Sequence, residues 1–293
     1  MKQPIELRRL RDFGQTINDS FTFLKENFKP LFRILFVICG LLILISTVST
    51  VFTYLNTSSL FVRFDPNSYE SSSKPFAYLI SMLISAFVLI LTQSFICLAT
   101  VCYISVYLQK KNNTPTLAEV WGYFKYYFFR VLGASIIIFL LFVAGFVLCL
   151  IPGIYLIPPL YLIIPIIVIE NSSFNYAFNK SFRLIKNNWW MVFGVIFIMS
   201  LIIAVAGSII GIPVTVITLG NKFLALKGFT LPLIIFFSVL RNLLLLAYVL
   251  PSIGVCLCYF SLSEEKEGTG LLDRIEKLGQ TNNDQTGLPS EEY

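Results

Sequence analysis

The chain has 293 residues, 56% of them hydrophobic and 13% charged, and a mean hydropathy of +0.79. It carries about half the charge of an ordinary soluble domain, and a protein of this size has too little interior to hide so much apolar surface from water. The composition therefore demands a bilayer, and the net charge of +6 matters through where it falls. The complete lack of histidine excludes Ser-His-Asp and Cys-His triads and every His-ligated metal site.

Charges are so sparse that the gaps between them mark the membrane segments. None lies between Arg33 and Arg63, Lys74 and Lys110, Arg130 and Glu170, Lys186 and Lys222, or Arg241 and Glu264. Each gap exceeds the ~20 apolar residues that cross a hydrocarbon core. The third is long enough for two crossings, with Pro152-Gly153 as the turn between them. An all-α membrane protein with six spans follows: Leu31–Tyr54, Phe76–Leu108, Val131–Ile151, Ile154–Ile169, Trp189–Ile210 and Asn242–Leu262. A segment over 1–14 precedes the membrane domain, 15–262, and a tail occupies 263–293. In that tail Leu271, Leu272, Ile275 and Leu278 pattern a short amphipathic helix, with disorder expected after about 280. The Ser-rich outer loop Asn56 to Lys74 holds no recognisable site. With the N-terminus inside, 17 Lys and Arg fall on the cytoplasmic side and four outside, so both ends are expected in the cytoplasm.

Three segments leading into spans one, three and five superimpose without gaps: Ser20–Arg33, Val120–Gly133 and Ser181–Gly194, at offsets of 100 and 161. Each places an aromatic (Phe21, Trp121, Phe182), an apolar residue three later, a lysine (Lys25, Lys125, Lys186) and a closing aromatic (Phe28, Phe128, Trp189). Spacing i, i+3, i+7 makes one apolar stripe with the lysine on its flank, the pattern of a helix lying in the membrane interface. Thr116 and Glu119 read as a capping box opening the second of these helices. Cys102-Tyr103-Ile104-Ser105 and Cys258-Tyr259-Phe260-Ser261 echo each other at the ends of spans two and six. The expected unit is an interfacial helix plus two spans. Repeated in parallel over about 15–110, 116–170 and 173–262, it would generate a pseudo-threefold axis along the membrane normal.

The stretch from Pro165 to Asn171, followed by Ala177, Ser181, Leu184, Lys186, Trp189, Trp190 and Gly194, resembles the membrane domain of bacterial glycerophosphodiester phosphodiesterases and their stand-alone relatives. The exit segments Tyr259 to Gly268 and Leu271 to Gly279 are similar to that family as well, so the resemblance runs from about Gln15 to Gly279. It implies an integral membrane module of a bacterial inner membrane. The family's phosphodiesterase activity belongs to a separate soluble barrel with His, Glu and metal ligands, which this chain has no residues to build.

Lys25, Lys125, Lys186 and Arg183 could form a cytoplasmic basic ring for anionic lipid headgroups, or express only the positive-inside bias. Arg241 reads either as an intramembrane cation or as an interfacial residue, with Phe223 to Leu240 a partly embedded outer segment. Thr92, Gln93 and Ser94 lie mid-span, as interhelical hydrogen-bonders or as the lining of a polar cavity. Pro152, Pro158, Pro159 and Pro165 crowd span four, suggesting a kinked hairpin inside the bundle. Glu170 is expected to form an ion pair near the third interfacial helix. The six cysteines lie in apolar runs as buried packing residues, with no C-x-x-C pair.

Membrane lipids and other membrane proteins are the expected partners. No nucleic-acid patch, nucleotide-binding loop or cofactor motif is present in the sequence. The leading expectation is a non-enzymatic scaffold or regulatory partner of envelope proteins. The alternative is a small transporter or lipid-handling protein with a site on the pseudo-threefold axis near Gln93 and the prolines of span four. A polar cavity inside the bundle would favour the alternative.

Overall fold

A computed structural model of the chain describes residues 6–61, 74–110, 114–148, 150–224 and 230–268, and all secondary structure among them is helical. The elements are α1 (Phe13–Glu26), α2 (Phe28–Phe61), α3 (Lys74–Gln109), α4 (Leu117–Leu148), α5 (Leu150–Ile169), α6 (Phe174–Ile185), α7 (Trp189–Leu224) and α8 (Thr230–Leu244). A 3-10 turn (Leu245–Tyr248) then leads into α9 (Val249–Glu267). Six stretches are long and apolar enough to cross a membrane: Phe28–Tyr54, Leu79–Gln109, Leu117–Gly145, Ile151–Ile169, Trp189–Pro213 and Pro232–Glu267. Most of the Ser-rich loop and nearly all of the tail, including the expected helix at Leu271 to Leu278, lie outside the described residues.

Local chemistry explains the boundaries. Asp12 and Gln15 make a reciprocal capping box at the start of α1. Asn27 ends that helix and is anchored there, its Nδ2 donating to the Phe23 carbonyl (3.1 Å) and its Oδ1 accepting from the Tyr103 hydroxyl (2.9 Å). Ser173 caps α6, and the chain reverses into it through Asn171 in the left-handed region (φ 48°). Both amphipathic helices start, and both following spans start, 161 residues apart: Phe13 and Phe174, Phe28 and Trp189.

Three expectations are corrected. The second amphipathic segment is not a separate helix, because α4 continues unbroken from Leu117 to Leu148. Nothing in its sequence stops the helix where Asn27 and the Lys186–Asn188 turn stop the other two. Pro152 and Gly153 lie in the first turn of α5 rather than between the helices, since proline is tolerated where the N–H has no intrahelical acceptor. The last span does not begin at Asn242: α8 carries the helix back to Thr230, beside α7 and α2.

Three helices, α3, α5 and α9, pack against one another at the centre. Each receives an amphipathic segment: α4, next in the chain, begins against α3; α6, next in the chain, lies on α5; and α1, from the far N-terminal side, lies on α9. The largest fully buried side chains, among them Tyr103, Ile104, Leu162, Ile163, Ile166 and Leu184, cluster toward one end of this trio. That end also gathers Arg11 beside Ser261, Glu170 beside Tyr259, and Lys110 beside Glu119, so it is the charged end of the bundle. Large apolar residues elsewhere, such as Leu41, Leu83, Phe129 and Ile209, point outward, as a lipid-facing surface requires.

Candidate functional site

The expected basic residues stand on separate elements of the bundle. Lys25, Lys125 and Lys186 are exposed on α1, on α4 and at the end of α6, and Lys125 Nζ sits 5.3 Å from the centroid of its own helix's Trp121. Arg183 and Lys186 belong to one corner, where Lys266 Nζ donates to both of their carbonyl oxygens (2.6 and 2.8 Å). Beside them lies a cation that the residue pattern does not single out. Lys180 is 6% exposed and pairs with Glu170 and Glu267, both at 2.8 Å. Glu170 also accepts from Tyr259, and Glu267 pairs with Arg183 at 3.0 Å. Burial opposes the ammonium, but the hydrogen bonds to the two carboxylates outweigh it and hold the Lys180 pKa above the ordinary lysine value. The ion pair expected of Glu170 is therefore formed. A second cluster ties the N-terminal segment to α9: Arg11 pairs with Asp19 (2.8 Å), and its backbone N–H donates to Ser261 (2.9 Å). These charges fasten the charged end and are spent on one another.

Further polar groups lie around two adjoining half-open chambers. The first has a volume of about 870 Å³ and lies between α2, α3, α7 and α8. Its polar lining is a chain of hydroxyls and amides. Ser46 donates to Asn242 Oδ1 (2.6 Å), and the Asn242 amide donates to the Ser238 carbonyl (2.8 Å). Ser85 meets both Ser49 (2.8 Å) and Thr53 (2.6 Å). Arg241 stands at this chamber, exposed, with one Nη donating to the Tyr54 hydroxyl at 2.9 Å. Among the described residues no carboxylate pairs with it, although a guanidinium offers five donors. About 27 Å of helix separates Arg241 from Tyr259, so the cation sits close to one hydrocarbon thickness from the charged end.

The second chamber, about 350 Å³, is a half-open cleft bordered by α3, α4, α5, the 3-10 turn and the start of α9. Gln93, Ser94 and Pro165 line it, together with Ser135. Thr92, by contrast, is turned away and fully buried, its hydroxyl returned to the Val88 carbonyl (2.8 Å). Ser94 and Ser252 are satisfied in the same way, on the carbonyls of Ile90 and Tyr248. Ser135 is not: it is 9% exposed and its hydroxyl has no partner among the described residues. The Gln93 amide also makes no hydrogen bond among the described residues. The two chambers share Leu89, Leu245 and Tyr248. Leu245 and Tyr248 belong to the 3-10 turn, whose local cause is Pro251: its missing N–H leaves the Ala247 carbonyl without its helical donor. Pro158, Pro159 and Pro165 are accommodated in α5 by burial against protein.

Of the residues singled out from sequence, Gln93, Ser94, Pro165 and Arg241 face chambers. Ser46, Thr50, Thr53, Ser85, Ser208 and Asn242 of the first chamber, and Ser135 and Ser252 of the second, were missed. A signal was present: Ser46, Thr50 and Thr53 fall at helical spacing on one stripe of α2, and Ser81 and Ser85 do so on α3.

No family model, curated protein or solved structure matches the chain.

Proposed function

We propose that this protein is a non-enzymatic membrane protein that binds and handles an anionic amphiphile, with the headgroup at Arg241 and the apolar part in the first chamber. The observation that carries this reading is an exposed cation with no carboxylate partner among the described residues, beside a half-open chamber between α2, α3, α7 and α8 whose mainly apolar lining carries several hydroxyls. A guanidinium so placed favours a phosphate or carboxylate that can accept two parallel hydrogen bonds. The charged end is proposed as the cytoplasmic one, from the lysine and arginine bias, so the Arg241 chamber faces the opposite leaflet. The three-unit plan is proposed as a true internal repeat, supported by the common 161-residue offset of helix starts and by the order in which amphipathic segments meet α3, α5 and α9. Kinship with the membrane domain of the phosphodiesterase family is proposed on the same sequence motifs, and carries no hydrolase activity with it.

The test uses the full chain in micelles, titrated with phosphatidylglycerol and followed by native mass spectrometry. Arg241→Gln should weaken a one-to-one adduct about tenfold, while Lys125→Gln, at the exposed charged end, should leave it unchanged. Equal binding by wild type and Arg241→Gln would overturn the reading.

The scaffold role is a second proposal. It is supported by aromatic residues exposed near the charged end, Tyr126 and Trp190 among them. Recovery of no stable partner from mild detergent would count against it.

A further inference from the structure

The second chamber carries a different chemistry, independent of the Arg241 site. Its lining includes no Lys, Arg, Asp or Glu among the described residues. An anionic headgroup there would be buried without a counter-charge, at a cost of several kcal/mol. Yet the chamber is not simply apolar. Ser135 is nine-tenths buried with an unpartnered hydroxyl, and the Gln93 amide, on a different helix, is also unbonded among the described residues. Neighbouring Ser94, Ser252 and Thr92 show how easily a helix disposes of a hydroxyl, on the carbonyl one turn back. Ser135 lacks that solution, and a buried hydroxyl left unsatisfied is expensive, while the half-buried Gln93 amide on the facing helix is free to donate. Around them stand flat apolar surfaces, Phe139, Tyr161 and Tyr248. The volume is at the lower end of what small-molecule sites occupy.

We infer that the second chamber binds an uncharged apolar molecule bearing a carbonyl, which accepts hydrogen bonds from the Gln93 amide and the Ser135 hydroxyl. Both side chains can donate, neither carries charge, and the aromatic walls match a thin hydrocarbon or ring body. Two sources share this chemistry: a neutral glyceride, with its ester carbonyl, and a quinone, with its ring carbonyls.

Wild-type full chain in uncharged detergent is titrated separately with monoolein and with decylubiquinone, and binding is read by native mass spectrometry. A saturable one-to-one adduct with either one supports the inference and names the source. The double variant Gln93→Leu, Ser135→Ala should lose about tenfold in occupancy. Its unfolding temperature without ligand should equal or exceed that of wild type, because the buried, unpartnered Ser135 hydroxyl has been removed. Ser135→Ala alone serves if the double variant does not fold, with a smaller loss in the same direction. Arg241→Gln should bind both probes as wild type does, which separates this site from the first. Absence of an adduct with either probe, equal binding by the Gln93 and Ser135 variants, or equally tight binding of an acceptor-free hydrocarbon such as 1-octadecene would overturn it.

Discussion

At the scale of single residues, the side chains divide by whether their polar groups are spent. Lys180 is fully spent, with two carboxylates at 2.8 Å and almost no exposure. Removing it strands Glu170 and Glu267 together, and breaking a buried pair from one side is far costlier than never having built it. Lys180→Met should therefore lower stability by about 3 kcal/mol, read as a fall in the unfolding temperature of the detergent-solubilised chain. Adding Glu170→Gln should restore part of the loss. Because the pKa of Lys180 is raised, its stabilising charge is present below the ordinary lysine value and is lost only as pH climbs through the raised one. Wild-type stability should then be insensitive to this group between about pH 6 and 9. Arg241, Gln93 and Ser135 are the opposite case, and that contrast separates the fastened end from the two chambers.

At the scale of elements, the helix break at Asn27 comes from a side-chain hydrogen bond to the Phe23 carbonyl and another from the Tyr103 hydroxyl, the latter 76 residues away. Helix breaks of this kind are set by tertiary partners. Breaks were also illegible where the cause lies further along the chain, as with Pro251 and the 3-10 turn before it. Helix pairing was illegible too. α7 and α9 approach closely because residue 254 is glycine: a Cβ there would overlap Met199 and crowd Val195. Gly254→Leu should force the two helices apart and cost about 1–3 kcal/mol, seen as a lower unfolding temperature. Gly211→Ala, where nothing stands within 4 Å of the added carbon, should leave that temperature unchanged or slightly raised. A larger effect at 211 than at 254 would contradict this packing.

At the scale of the whole molecule, the bundle is tight at the charged end and open toward Arg241. If the charged end is cytoplasmic, a cysteine replacing Arg241 should react with a membrane-impermeant maleimide from outside intact cells. A cysteine replacing the exposed Glu265 should react only after permeabilisation. The background should lack native cysteines, although Cys39, Cys102, Cys256 and Cys258 are buried. The reverse labelling pattern would invert the topology.

Residue types alone determined that the chain is helical, that it has six apolar stretches, and roughly where each runs, because hydrocarbon solvation imposes length and charge rules that are local in sequence. They also pointed to Gln93, Ser94 and Arg241 as polar groups out of place in an apolar span. Only the tertiary structure decided which of those groups face a chamber, since Thr92 and Gln93 are neighbours in sequence and point to opposite fates. It alone brought Ser135 into the site, and Lys180 between two carboxylates. The physical reason is that a hydroxyl or ammonium is spent or unspent according to its partners, and most of those partners lie on helices far away in the chain.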